Sequence, residues 1–257
     1  MATLCFAARL VCSVRPNEKS TSSGAGVNCS LLKSSSLVSH SFSINLDNGA
    51  RRSRFFHLSA VPSSPGSAAT SISEDTTSFL DKVKVFDLDG KEIALTDLWK
   101  DRKAVVAFAR HFGCVLCRKR ADYLASVKDK MDEAGVALVL IGPGSVDQAR
   151  AFSQQTKFKG EAYADPSYSS YKAFSFVSGV ATTFTPKAGL KIIQSYMEGY
   201  RQDWALSFEK DTRTRGGWQQ GGIIVAGPGK NNVTYIHKDK EAGDDPEIED
   251  ILKACCS

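Results

Sequence analysis

Apolar and polar positions alternate along the chain in segments short enough to read one at a time. Lys82-Val-Lys-Val-Phe-Asp-Leu-Asp-Gly-Lys-Glu-Ile-Ala-Leu alternates on either side of Asp89-Gly90, which predicts two short strands joined by a tight hairpin turn. Thr96 is placed to cap a short turn reaching Trp99. Ala104-Val-Val-Ala-Phe-Ala is apolar without alternation, as in a central strand covered on both faces. From Leu116 to Ala134 the period becomes helical: Leu124, Val127, Met131 and Ala134 recur at three and four, and Gly135 closes the segment. Val136–Ile141 repeats the buried-strand pattern before Gly142-Pro143-Gly144, and Ser145 with Gln148 forms a capping box that opens a helix to about Lys157.

Beyond this point the signals shorten. Glu161–Ala164 reads as a strand, Tyr168–Phe174 as a short helix, Gly222–Ala226 as a buried strand, and Asn232–His237 as its neighbour after the turn Gly227-Pro228-Gly229. Asp245–Ala254 suits a closing helix with Pro246 at its first position. Strands and helices in this order predict an α/β domain over 78–255, its central sheet flanked by helices, with an irregular insertion at about 178–217.

Composition changes the picture mainly at the start. The 257-residue chain is 42% hydrophobic and 24% charged, as expected of a globular protein, and has no run of about 18 apolar residues that would span a membrane. Its net charge of +5 hints at nucleic-acid binding, but the excess is confined to one end. Residues 1–73 carry seven Lys or Arg against two acids, whereas 74–257 carry 26 of each. The domain has no net field to draw in phosphate, and nucleic acid is excluded as a partner. Residues 1–73 are also rich in Ser, hold Arg51, Arg52 and Arg54 together, and sustain no period. That pattern predicts a disordered plastid transit peptide and linker, cut between Arg54 and Ser73, and hence a chloroplast protein of the stroma.

The chemistry centres on Cys114-Val-Leu-Cys117, two cysteines three apart where a buried strand gives way to a helix. The thiolate is the reactive form of cysteine, and the start of a helix favours negative charge. Arg110, His111, Arg118, Lys119 and Arg120 surround the pair in sequence and would favour the thiolate wherever they point at sulfur. One sulfur can be attacked while the other closes a disulfide. Arg110 is a candidate to stabilise a thiolate or a peroxide oxygen, the competing reading being a strand-end arginine in solvent. His111 is a weaker candidate as proton donor, since a loop histidine is often simply exposed. Two other readings of the pair fit less well. One is cysteines packed in a core; the other is half of a zinc site, for which Cys255-Cys256 is a poor second half. Trp204, Trp218, Arg201, Arg213 and Arg215 read as a packed insertion with a solvated basic rim, the alternative being a substrate mouth. Cys255 and Cys256 read as an inert tail, the alternative being a third thiol that reaches back to the pair. No dinucleotide fingerprint and no phosphate loop occurs, so no cofactor is expected and electrons would come from another thiol.

The run Phe108-Ala-Arg-His-Phe-Gly-Cys-Val-Leu-Cys-Arg resembles the peroxiredoxin-like proteins of the AhpC/TSA-related thioredoxin-fold group, as do Gln220-Gly-Gly-Ile-Ile-Val-Ala-Gly-Pro-Gly and the upstream Asp-Gly hairpin. The resemblance covers about residues 79–255. It implies a thioredoxin-like fold in its peroxiredoxin-like variant, with a mixed central sheet, and a thiol-dependent antioxidant or reductase role for Cys114 and Cys117. Peroxide or a protein disulfide would be the substrate, and thioredoxin or glutathione the electron donor. The alternative is a redox-sensing interaction module that oxidises without turnover. The thioredoxin analogy makes Cys114 the nucleophile and Cys117 the resolver, and the peroxiredoxin analogy reverses them. In that second alignment Cys114 stands where the peroxiredoxin pattern has Thr, and Arg110 where it has Pro. The first assignment is preferred because the leading cysteine of such motifs is usually the more exposed. The position of the thioredoxin cis-proline reads Gln219-Gln220-Gly221 here.

Overall fold

The structure is a computed structural model, and it describes residues 79–257. The expected transit peptide therefore lies outside the described residues. Among the described residues, seven strands form one mixed sheet: β1 (Lys84–Phe86), β2 (Glu92–Ala94), β3 (Lys103–Phe108), β4 (Val136–Pro143), β5 (Glu161–Asp165), β6 (Gly222–Ala226) and β7 (Val233–Lys238), in the order β2-β1-β5-β4-β3-β6-β7. β3 pairs in parallel with β4, and β4 with β5; every other pairing is antiparallel.

Helices α1 (Val115–Ala125) and α2 (Lys128–Glu133) connect β3 to β4, and α3 (Val146–Thr156) connects β4 to β5. After β5 come α4 (Ser169–Ala173), α5 (Val180–Thr183), α6 (Pro186–Met197), α7 (Trp204–Phe208) and α8 (Lys210–Thr214). Helix α9 (Ile248–Cys256) follows β7 and closes the chain. The segment β3–helix–β4, completed by the β6–β7 hairpin and a last helix, is the thioredoxin-like arrangement, here extended by β1, β2 and β5.

The sheet forms where the apolar pattern places it. Ala104, Val106 and Phe108 pack on one face with Trp99, Tyr171, Phe174 and Phe176. Val105 and Ala107 pack on the other with Leu124, Met131 and Ile251. Burial of both faces explains why this run does not alternate. The hairpin turns as expected: Gly90 adopts φ +84°, and Asp87 Oδ1 accepts hydrogen bonds from the Asp89 and Lys91 amides at 2.9 Å each. The capping box at the start of α3 is complete in both directions between Ser145 and Gln148.

Two local expectations change. The helix expected over 116–134 is two helices, because the Ser126 hydroxyl donates to Tyr123 O and Val127 N–H turns to Leu124 O, tightening and ending the first. The last helix starts after Pro246, at Ile248, with Glu247 extended ahead of it. Asp245 is held to Arg120 instead of joining the helix. Among the described residues, the Gly227–Pro228 peptide bond is cis, in the turn beyond β6.

The segment expected as an irregular insertion holds α5, the 12-residue α6, and the short α7 and α8, and is drawn closed at its neck. Ser178 and Gln219 bridge, Gly179 N–H donates to Trp218 O, and Gln220 N–H donates to Val177 O. It ends at β6, beside the end of β3 from which the cysteine loop departs. In that loop Phe112 is buried against Phe152, with ring centroids 5.6 Å apart, and lies over Gly142 of β4. A Cβ at Gly142 would come within 2.3 Å of the Phe112 ring. Gly142→Ala therefore lowers unfolding stability by about 1–3 kcal/mol, read as a shift in the denaturant midpoint at unchanged slope. An unchanged midpoint would show that the ring is not clamped there.

Candidate active site

At the end of β3 the chain turns away from the sheet while Ala109 N–H still donates to Ile141 O. Arg110, His111, Phe112 and Gly113 lead to Cys114, which is extended at φ −70°, ψ 127° and forms the N-cap of α1. Gly113 passes so close to the start of α7 that a Cβ would meet Asp203 O at 2.6 Å, and only a glycine fits. The freed amide of Val115 donates to Gln202 Oε1 at 2.9 Å, from the segment before α7. Cys117 follows one turn into the helix.

Arg110 connects the two sulfurs. Its backbone N–H donates to Cys117 Sγ at 3.1 Å, and its Nη1 donates to Cys114 Sγ at 3.3 Å. The guanidinium is aimed by Nη2, which donates to Gly217 O at 2.8 Å and Thr183 Oγ1 at 3.3 Å. Arg110 is 6% exposed, so it is not a strand-end arginine in solvent. His111 is equally buried, not an exposed loop histidine. Burial pushes its pKa down to about 4, with Arg110 and Arg118 adding to the fall against the pull of Cys114. The imidazole is therefore neutral at neutral pH and does not supply a positive charge there.

The sulfurs differ in electrostatics, not in exposure. Cys114 is 2% and Cys117 3% exposed, so the expectation that the leading cysteine is the more exposed fails. The Cys117 thiol hydrogen-bonds to Cys114, and with Arg110 this carries the Cys114 pKa well below the ordinary thiol value against the penalty of burial. The same hydrogen bond, burial and the neighbouring Cys114 charge push Cys117 well above it. The pair thus holds one thiolate and one thiol, with the negative charge on Cys114.

The remaining cations serve elsewhere. Arg118 bonds to Gln155 and lies 3.3 Å from Asp203, Lys119 lies 2.7 Å from Glu198, and Arg120 is buried between Asp239, at 2.9 Å, and Asp245. Arg215 lies 4.4 Å over the Tyr168 ring and pairs with Asp211, and Arg201 donates to the carbonyls of Tyr196 and Tyr200. Arg213 is exposed. The two tryptophans depart from the packed-insertion reading. A cavity of about 230 Å³ opens over Cys114, Arg110 and His111, walled by Trp204, Trp218, Phe184 and Tyr196. The Phe184 and Trp218 rings meet edge-on at 5.8 Å on one side, and Trp204 stacks on Phe208 at 5.7 Å. Cys117 lines a separate, small cavity on the inner side, with Arg120 and Asp239.

Cys255 is buried in the cluster of Val105 and Leu124, and Cys256 Sγ reaches Lys130 O in α2. The length of α1 separates them from Cys114, so they do not form a third thiol at the pair. Gln202, Thr183 and Gly217, which orient the loop and Arg110, carry no signal in the sequence. Each acts through a contact with a residue far away along the chain.

The family model described as AhpC/TSA antioxidant enzyme matches residues 123–241. The chain is 72% identical over 191 residues to the thioredoxin-like protein AAED1, chloroplastic, of Arabidopsis thaliana, covering 74% of this chain and 77% of that protein. It is 29% identical over 201 residues to peroxiredoxin-like 2C of Mus musculus, covering 75% and 85%. Among solved structures, reduced Prx3 of Vibrio vulnificus in complex with hydrogen peroxide aligns at 15% identity with a TM-score of 0.47, covering 68% of this chain and 95% of that one.

The lowered pKa of Cys114 has a direct readout. Its alkylation by iodoacetamide, followed by peptide mass spectrometry, stays constant as pH rises through the ordinary thiol value of about 8.5, because the thiolate is already formed. Arg110→Ala removes the guanidinium and moves the onset of alkylation to higher pH, while the Cys117 hydrogen bond remains. A wild-type rate that climbs through that value would contradict the assignment.

Proposed function

Because this chain belongs to the AhpC/TSA peroxiredoxin-like family, we propose that it is a thiol-dependent oxidoreductase that cycles Cys114 and Cys117 between dithiol and disulfide. The single observation that carries this reading is the Arg110 guanidinium on Cys114 Sγ at the floor of an aromatic-walled cavity. A thiolate there is both activated and within reach of a small substrate, while Cys117 waits beneath it as a thiol.

With a peroxide, the Cys114 thiolate attacks one oxygen. The S–O bond forms, the O–O bond breaks, and the leaving oxygen departs as an alcohol or water after taking a proton. Arg110, held by Gly217 O and Thr183, stabilises the charge moving between sulfur and oxygen. Cys117 then attacks the sulfenic acid at Cys114; the S–S bond forms and hydroxide leaves, protonated to water. Two electrons from thioredoxin or from two glutathione molecules return the pair to dithiol. A protein disulfide would enter by the same attack, with a thiolate as leaving group. The aromatic wall from the insertion favours turnover over a passive sensor, because it gives Cys114 a substrate-sized approach.

The roles separate by substitution. Cys114→Ser loses peroxide consumption in a thioredoxin- or glutathione-coupled assay. Cys117→Ser reduces one equivalent of peroxide per chain and stops with a sulfenic acid at Cys114, trapped by dimedone. If a Cys114→Ser/Cys117→Ser chain consumes peroxide at the wild-type rate, the reading is lost.

We place the protein in the plastid stroma, on its Ser-rich, acid-poor leader and on its chloroplastic relative. A fusion of residues 1–73 to a fluorescent protein is expected to enter plastids. Diffuse cytosolic fluorescence would remove the assignment.

A further inference from the structure

The mechanism above leaves unused the most buried acid near the sulfurs. Asp239, just beyond β7, is 2% exposed. It lines a cavity of about 10 Å³ together with Cys117, Arg110, Arg120, Leu116 and Gly243. That volume admits about one water, and its walls offer the polar partners a buried water needs. Arg120 Nη2 lies 2.9 Å from Asp239 Oδ2. No donor among the described residues makes an aligned hydrogen bond to either carboxylate oxygen, so both keep acceptor capacity.

The groups facing Asp239 come from three elements. Arg120 of α1 attracts it; Asp245, held by the same Arg120, repels it. His237 of β7 has Nε2 3.7 Å from Oδ1 and directs that nitrogen to Asp244 O at 2.6 Å. Burial is the largest influence and raises the Asp239 pKa to about 6, against the pull of Arg120. Both forms of the carboxyl are thus accessible near neutral pH, unlike those of an ordinary aspartate.

We propose that Asp239 is the proton acceptor for Cys117 in the resolving step, acting through one water in this inner cavity. The proposal rests on the reading above that Cys114 attacks and Cys117 resolves. Cys117 must lose its proton before it can attack. Its pKa is held up partly by the thiolate of Cys114, and that charge disappears once Cys114 is oxidised. The proton then passes from Cys117 Sγ through the water to Asp239, giving a Cys117 thiolate and a neutral carboxyl. The new thiolate is received by Arg110 N–H at 3.1 Å. Its attack forms the Cys114–Cys117 bond and expels hydroxide from a sulfenic acid, or a thiolate from a mixed disulfide. The leaving group takes up a proton, which Asp239 can return through water.

The two cavities divide the work. Substrate and attacking sulfur share the outer one, and resolving sulfur and base share the inner one. Asp239 thereby acts on the second step without touching the first.

The test follows the full chain after mixing with either hydrogen peroxide or glutathione disulfide. Samples are quenched in acid over time and read by peptide mass spectrometry for oxidised Cys114 and for the Cys114–Cys117 disulfide. In the wild type, the conversion of oxidised Cys114 to disulfide falls as pH drops through about 6 in both arms. Asp239→Asn slows that conversion by about 100-fold and removes the inflection, while the first oxidation of Cys114 keeps its wild-type rate. His237→Gln, which removes the nearest histidine, retains the inflection.

A wild-type conversion rate that is flat between about pH 5 and about pH 7 would overturn the proposal without any variant. So would an inflection that moves with His237, or an Asp239→Asn chain that resolves at the wild-type rate. Formation of the mixed disulfide without a sulfenic acid from peroxide would remove the peroxidase reading alone, and the resolving step would still be measured with glutathione disulfide.

Discussion

The structure depends on one arginine that serves two sulfurs with different parts of itself. The Arg110 main chain binds Cys117, and its side chain binds Cys114. A thiolate taken out of water is costly, and both cysteines are almost wholly buried. The Cys117 thiol and the guanidinium together outweigh that cost at Cys114, whereas at Cys117 the hydrogen bond to Cys114, burial and the Cys114 charge all favour the neutral thiol. Buried cysteines are usually inert; these are held apart in charge, which is the condition for one to attack and the other to wait. A lysine would not replace this arginine, since the planar head bonds at once to Cys114, Gly217 O and Thr183.

The rest of the fold keeps that arginine aimed. Strand β3, covered on both faces, fixes where the loop begins, and Phe112 against Gly142 and Phe152 fixes how it turns. The insertion supplies the other half. Its neck brings Gly217 and Thr183 to the guanidinium, and its aromatic side chains wall the approach to Cys114. It works as the lining of the site more than as a detour from the domain. Beneath the pair, the buried Arg120 between Asp239 and Asp245 ties α1 to the chain that follows β7. Removing Arg120 would leave Asp239 and Asp245 without their shared cation and cost several kcal/mol.

What could be read from the sequence is what local chemistry decides. Ala104–Phe108, Asp89-Gly90, and Ser145 with Gln148 each encode their element within a few residues, and each element forms where expected. The cysteine pair at a strand-to-helix junction was legible for the same reason. The contacts that give the pair its character were not. Arg110 is 73 residues from Thr183 and 107 from Gly217 along the chain, and the carboxylates that hold Arg120 lie beyond β7. Composition near Cys114 suggested a ring of cations, but Lys119 and Arg118 turn to Glu198 and Asp203 instead. Trp204 and Trp218 looked like packing because their segment has no period, and only the closure of its neck shows which cavity they face. The exposure expected of Cys114 failed, since both cysteines are buried.

The central claim is that two neighbouring sulfurs exchange a pair of electrons reversibly within this fold. Equilibration of the full chain in graded mixtures of reduced and oxidised dithiothreitol, with peptide mass spectrometry of each sample, tests it directly. The account predicts one two-electron transition in which Cys114 and Cys117 become linked to each other and are fully released again on reduction. Free thiols at both positions across the whole series, in a chain that remains folded, would contradict it.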